Sequence, residues 1–255
     1  MKKLLFVAFL FVKIGFSQSN SEPKTIHVFV ALCDNKNQGI VPVPEKLGNG
    51  QNPMNNLYWG ALYGVKSYLK RSKGWVLISV KKAPKSQVLE RILFKHNSSN
   101  TYLLADAYDG KYIKQSITDF LVATAGRNSE TVLSGDNNLM FGGQSSLLAY
   151  VGHDGLMEFD VSGSFNPLNQ NKRDAIILAC VSKTYFKPYL AVTKANPLLW
   201  STGLMSPEAY TLKSAIDGWI LNETDLQIKE RASQAYHKYQ KCGINGARRL
   251  LVTGN

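Results

Sequence analysis

The sequence predicts an α/β fold in which a mostly parallel β-sheet is flanked by helices. Short apolar runs, typical of strands buried on both faces, alternate along the chain with segments whose apolar residues recur at helical spacing. The chain has 255 residues, of which 44% are hydrophobic and 19% are charged. Such a composition favours a globular protein over a disordered one. No repeat or linker divides the sequence, so we expect a single domain over residues 18–255.

The strands and helices follow in order from these two patterns. Apolar runs predict strands at 25–32, 75–80, 101–107, 146–152, 175–179 and 197–202. Helical spacing predicts helices at 56–69, 112–124 and about 225–242, and a further helix after Pro207 with Ser206 as its N-cap. Residues 87–95 fit either element, and the Gly- and Asn-rich segments 33–56 and 126–143 are expected to be long loops.

Residues 1–17 have the three-part pattern of a secretory signal peptide. Lys2 and Lys3 precede an apolar run at 4–12, and small residues precede an expected cleavage site near Ser17 and Gln18. The run is too short for a stable membrane span, and no later stretch reaches the roughly 20 apolar residues that a membrane helix needs. We therefore expect a secreted or periplasmic protein.

The charge is basic, with 30 Lys and Arg against 18 Asp and Glu and a formal net charge of +12. Cleavage of the leader would remove three lysines and leave +9. The basic residues stand in dispersed pairs, and no motif of a nucleic-acid-binding fold accompanies them. We expect no nucleic-acid partner. Attraction to anionic surfaces explains the charge equally well, and a solvated surface is the default interpretation.

The three cysteines, Cys33, Cys180 and Cys242, are an odd number for an exported protein. One disulfide, for instance between Cys33 and Cys242, would leave Cys180 as a free thiol. All three pairings are formally open, and so is the alternative that all three cysteines are reduced and inert.

Two strand ends carry residues suited to catalysis. In an open α/β sheet, ligands and catalytic groups gather outside the carboxyl ends of the strands. The fourth predicted strand leads into Gly152, His153, Asp154 and Gly155, and the fifth leads into Cys180. If these strands are neighbours, an imidazole and a thiol emerge at the same edge, as nucleophilic catalysis requires. The alternative is a histidine that caps its loop and a cysteine that fills the core.

The two strand ends also resemble the paired signature of the caspase-like cysteine peptidases, the group of caspases, legumain and gingipains. The resemblance spans residues 147–180, where Leu-Leu-Ala-Tyr-Val-Gly-His-Asp-Gly is followed by Ala-Ile-Ile-Leu-Ala-Cys. It implies a caspase-like three-layer sandwich and cleavage of peptide bonds by a Cys-His dyad without a cofactor. Cys180 would be the nucleophile and His153 the general base or acid, and the substrate would be a peptide or protein.

The resemblance also implies an oxyanion hole, formed by the Cys180 amide and by one from Asp154 or Gly155. This sequence departs from the family at Asp154, since the family has glycine directly after the histidine. A second hypothesis is therefore a non-catalytic exported binding or toxin-type protein on the same α/β fold.

The remaining site predictions concern substrate and metal. The turn after the sixth predicted strand, Trp200, Ser201 and Thr202, is a candidate substrate-binding segment. The four histidines are scattered without metal-ligand spacing, and His27 fits a satisfied sheet histidine better than a ligand. We expect no metal and no cofactor.

Overall fold

A computed structural model describes residues 22–254, which form ten strands and six α-helices. The strands are β1 (Lys24–Ala31), β2 (Trp75–Lys85), β3 (Val88–His96), β4 (Thr101–Tyr108), β5 (Glu130–Ser134), β6 (Asn137–Phe141), β7 (Leu147–Val151), β8 (Asp174–Leu178), β9 (Asn196–Ser201) and β10 (Leu251–Val252). The helices are α1 (Val65–Arg71), α2 (Ile113–Thr124), α3 (Ser182–Thr193), α4 (Ala209–Ile220), α5 (Asp225–Gln240) and α6 (Ile244–Leu250). The predicted signal peptide lies outside the described residues.

Eight strands form one mixed sheet in the order β10-β9-β8-β7-β1-β4-β3-β2. Five neighbouring strands, β9, β8, β7, β1 and β4, are parallel, whereas β10, β3 and β2 join the two edges antiparallel. If the five parallel strands are numbered in chain order, they are arranged 2-1-3-4-5 across the sheet, so the strand order reverses between β1 and β7, and ligands of open α/β sheets bind outside the strand ends at such a point. The predicted class, an α/β fold with a mostly parallel sheet flanked by helices, is confirmed.

Helices cover both faces of the sheet because the central strands are apolar on both sides. Along β1, Ile26, Val28 and Val30 face one core with α1, α4 and α5, while Phe29 and Ala31 face another with α2 and α3. This alternation is the period of two expected of a strand, and burial on both faces explains its nearly continuous apolar run. The sheet therefore forms the middle of three layers.

Three sequence predictions were wrong in detail. The helix predicted from residue 56 begins only at Val65, because the preceding segment turns tightly and brings backbones together. A Cβ at Gly60 would lie 2.0 Å from the Met54 carbonyl oxygen. The predicted loop 126–143 contains the β5–β6 hairpin, which packs Leu139 and Phe141 onto the sheet. The helix after Pro207 begins at Ala209 with Glu208 as N-cap, two residues later than a Ser206 cap requires.

Two helices, α3 and α6, were not predicted. Helix α3 follows Cys180 directly and returns the chain from β8 to β9, although Pro188 stands in its interior. Between residues 22 and 254, no helix combines the length and the apolar composition that crossing a membrane requires.

Candidate active site at the carboxyl edge of the sheet

His153 and Cys180 emerge side by side from the sheet. Strands β7 and β8 are parallel neighbours, and their last paired residues are Val151 and Leu178. His153 and Cys180 each follow two residues later, so both leave the sheet at its carboxyl edge in matching register. The strand adjacency on which the sequence argument depended is thus present.

Both residues line one cavity of about 470 Å³, which we call the edge cavity. Its walls come from the segments that follow four adjacent parallel strands: residues 39–43 after β1, Gly152 and His153 after β7, Cys180 after β8, and residues 204–208 after β9. Leu57, Tyr58 and Met157 complete the lining. A cavity outside the carboxyl ends of parallel strands is the expected position of a ligand site in this architecture.

Cys180 stands at the sharp turn from β8 into α3. Val181, the next residue, has a left-handed backbone with φ of 50°, which is strained for a β-branched side chain. Helix α3 begins immediately afterwards, and the N-terminus of a helix favours negative charge. The Sγ atom contacts the backbone of Met205, which donates its amide at 3.4 Å and offers its carbonyl oxygen at 3.5 Å. The turn thus presents a partly exposed thiol to the cavity.

His153 is held from two sides. Its Nε2 atom donates to Glu158 Oε1 at 2.5 Å, and its carbonyl oxygen accepts a hydrogen bond from the Tyr150 hydroxyl at 2.7 Å. Glu158 Oε1 also accepts the Gly39 amide at 3.0 Å, which ties the histidine to the cavity wall after β1. Since Nε2 is occupied, the other ring nitrogen, Nδ1, is the one left for proton transfer to a neighbour.

The predicted oxyanion residues differ in their backbone bonding. The Gly155 amide already donates to the His153 carbonyl oxygen at 3.2 Å. Over residues 22–254, by contrast, the amides of Cys180 and Asp154 donate to no protein acceptor. Of the two residues offered for the second donor, Asp154 therefore has the open amide.

The Asp154 side chain is fully buried beside the base. One carboxyl oxygen accepts the Leu156 amide at 3.1 Å, and the other has no hydrogen-bond partner among the described residues. Burial, together with the nearby charge of Glu158, raises the pKa of Asp154 from 3.8 to about 7. The residue that departs from the family pattern is thus a carboxyl group poised to change charge near neutral pH.

The cysteines are three free thiols in different surroundings. Cys33 is buried, Cys180 is partly exposed and Cys242 is exposed, so the suggested bond between Cys33 and Cys242 is not formed. Burial raises the pKa of the Cys33 thiol to about 11. Since the thiolate is the nucleophile, Cys33 is a poor candidate for catalysis.

The predicted substrate-binding segment lies mostly inside the protein. Trp200 and Ser201 are fully buried, and the Trp200 indole donates to the Gly254 carbonyl oxygen. The Ser201 hydroxyl donates to the Ala179 carbonyl oxygen at 2.5 Å and so braces the turn that carries Cys180. Thr202 is exposed and bonds to the Arg249 carbonyl oxygen. The edge cavity is lined instead by the residues that follow them, 204–208.

A second group of charged residues lies within the sheet. His27 Nε2 and carboxylate oxygens of Asp106 and Glu130 lie within 4.8 Å of one another, close enough to hold a metal ion. Arg91, however, donates to both carboxylates at 2.6–2.9 Å, and the Gly142 amide donates to His27 Nδ1. With the guanidinium between the carboxylates, the cluster fits an internal ion pair and not a metal centre.

Sequence reasoning missed three residues of this site: Glu158, Glu208 and Tyr58. Glu158 follows His153 by five residues in an irregular segment, where no periodicity indicates which way a side chain points. Tyr58 and Glu208 come from loops after other strands, and only the fold brings them to Cys180. Comparison with family models, curated proteins and solved structures found no match to this chain.

Proposed function

We propose that the protein is a cysteine peptidase of the caspase-like group, with Cys180 as nucleophile and His153 as general base and acid. The observation that carries the proposal is the matched exit of these two residues from neighbouring parallel strands into one cavity. Acyl transfer through a covalent intermediate requires a nucleophile and a nearby general base, and a thiol and an imidazole at one ligand cavity can supply these two groups. The rest of the family assignment rests on the sequence resemblance, and export rests on the signal-peptide pattern of residues 1–17.

In the proposed reaction, His153 takes the thiol proton and the Cys180 sulfur attacks the carbonyl carbon of the scissile peptide bond. The amides of Cys180 and Asp154 would stabilise the negative charge that develops on the carbonyl oxygen. The tetrahedral intermediate collapses, the C–N bond breaks, and His153 gives its proton to the leaving amine. Water then hydrolyses the thioester, which releases a carboxylate and regenerates the thiol.

Glu158 has a positioning role in this scheme. Its carboxylate accepts the Nε2 proton of His153, which fixes the ring orientation and stabilises the imidazolium formed during proton transfer. In this scheme Cys180 gives its proton to His153, and Glu158 orients His153.

Thiol reactivity tests the proposal. Iodoacetamide should modify Cys180 of the mature protein faster than the exposed Cys242 near neutral pH, and His153→Ala should slow that modification while leaving Cys242 unchanged. Cleavage of a mixed peptide library should disappear in Cys180→Ala. If Cys180 reacts no faster than Cys242 and no peptide is cleaved, the non-catalytic binding protein becomes the better hypothesis.

A further inference from the structure

The edge cavity differs in charge from the rest of the protein. The chain carries a formal +12, yet no lysine or arginine lines this cavity. Glu208 is the one carboxylate among the lining residues. A site without cations in a basic protein disfavours an anionic ligand and favours a cationic one.

Glu208 has only neutral partners. One of its carboxylate oxygens accepts the Tyr210 hydroxyl at 2.7 Å and the Gln240 side-chain amide at 3.2 Å. Within residues 22–254 it forms no ion pair, whereas seven other carboxylates that are buried or partly buried do. Burial raises the pKa of Glu208, and these two hydrogen bonds oppose the rise. The protein supplies no cation to this half-buried carboxylate, so a cationic ligand would gain the ion pair that the protein itself does not form.

Capping of helix α4 does not explain the position of the Glu208 side chain either. Glu208 stands at the N-cap position of α4, where a short polar side chain would normally bond to the first free amides. Its side chain makes no such bond. The carboxylate is instead held by Tyr210 and by Gln240 of α5, and of these three residues Glu208 alone lines the cavity.

The other walls are apolar. Ile40, Val41, Leu57, Met157 and Leu204 line the cavity, and Val41 and Leu204 are 87% and 77% exposed. An apolar passage that carries one carboxylate fits a long side chain with a hydrocarbon stem and a cationic head. Lysine and arginine are the two amino-acid side chains of this form.

The carboxylate and the thiol belong to the same part of the cavity. Met205, whose backbone contacts Cys180 Sγ on both sides, precedes Glu208 by three residues in the same wall segment. Tyr58 lies close enough to Cys180 and to Glu208 for the charges of both groups to raise its pKa. A side chain that pairs with Glu208 would therefore hold its own peptide group near the nucleophile.

We propose that the edge cavity receives a lysine or arginine side chain of a peptide and that Glu208 pairs with its cationic group. This inference rests on the proposed function for the identity of the reaction, and it names the substrate class of the same site.

The test compares peptides that differ in one residue, arginine or citrulline, at the position before the scissile bond. Citrulline keeps the shape of arginine but has no charge. We expect kcat/KM to be at least about tenfold higher for the arginine peptide, since a hydrogen bond to a charged group is worth that factor or more. Glu208→Gln should lower the value for the arginine peptide to that of the citrulline peptide. Glu45→Gln, which removes an exposed carboxylate outside the cavity lining, should preserve the preference.

A binding measurement separates this inference from the peptidase proposal. Cys180→Ala should bind the fluorescent arginine peptide more tightly than the citrulline peptide, and Glu208→Gln in that background should remove the difference. If the arginine peptide binds more tightly but the unaltered protein cleaves no peptide, the site for a cationic side chain is supported and the peptidase proposal is overturned. Cleavage of both peptides at equal rates, or equal binding of both, would overturn the cationic site. The comparison on the unaltered protein does not depend on any variant folding.

Discussion

Asp154 should make the stability of this protein depend on pH across the neutral range. Its carboxyl group is fully buried, one of its oxygens has no hydrogen-bond partner in the described chain, and its pKa is raised from 3.8 to about 7. In the unfolded chain the same group ionises near its ordinary value. Folding therefore favours the protonated form, and the protein loses stability as the pH rises from about 4 through about 7.

The size of the effect follows from the pKa difference. A shift of about three pKa units, at roughly 1.4 kcal/mol each, gives a loss of about 4 kcal/mol by pH 8 as an upper value. Asp154→Asn keeps the acceptor for the Leu156 amide and cannot ionise, so it should not suffer this loss. At pH 8 the variant should be more stable than the unaltered protein, and near pH 4 the two should be nearly equal.

Chemical denaturation at pH 4, 6 and 8 measures this difference directly. Subtracting the free energy of unfolding of the variant from that of the unaltered protein cancels the contributions of other titrating groups. Asp160→Asn, a substitution at an exposed site six residues further on, should show no such pH-dependent difference. A difference for Asp154→Asn that changes by less than about 1 kcal/mol between pH 4 and pH 8 would refute the argument, because the buried carboxylate would then be tolerated at little cost.

Three further predictions concern single residues. Glu158→Ala should lower kcat roughly 10²-fold with a smaller change in KM, because the His153 ring loses the partner that orients it for proton transfer. A pH–rate profile checks this prediction, and an unchanged kcat would contradict it. Burial alone would raise the pKa of Asp106, but hydrogen bonds from Arg91 and His27 hold it well below its usual range. Arg91→Met should therefore cost about 3–5 kcal/mol in denaturant titration, and a loss under 1 kcal/mol would count against the ion pair. Cys33 should react with iodoacetamide only after unfolding, which mass spectrometry of labelled peptides can verify.

The sequence predicted the central strands and the place of the site, but not the details that arise from tertiary contacts. Strands such as β1 and β7 were evident because burial on both faces leaves a continuous apolar run. The β5–β6 hairpin was missed because its two strands have only five residues each and only one of its faces packs, through residues such as Leu139. Helix α3 was missed because Pro188 is atypical of a helix interior and because the mixed polar and apolar composition of α3 gives no clear helical spacing. His153 and Cys180 could be found because each follows a strand directly.

The other residues of the site could not be predicted from their position after a strand. Glu158 and Glu208 reach the cavity through loops whose paths are set by packing between distant elements. Their spacing from His153 and Cys180 along the chain carries no information about distance in space. A carboxylate in a loop is ordinarily solvated, so no pattern in the sequence distinguished these two from other surface carboxylates.

The Glu158 carboxylate joins two segments of the cavity that are far apart in the sequence. One oxygen atom accepts both the ring proton of His153 and the backbone amide of Gly39, which begins the wall that follows β1. Any ligand that displaces that wall must strain or break a bond shared with the imidazole. Occupancy of the cavity and the orientation of the histidine are consequently linked in free energy, and a change in either one alters the other by the same amount.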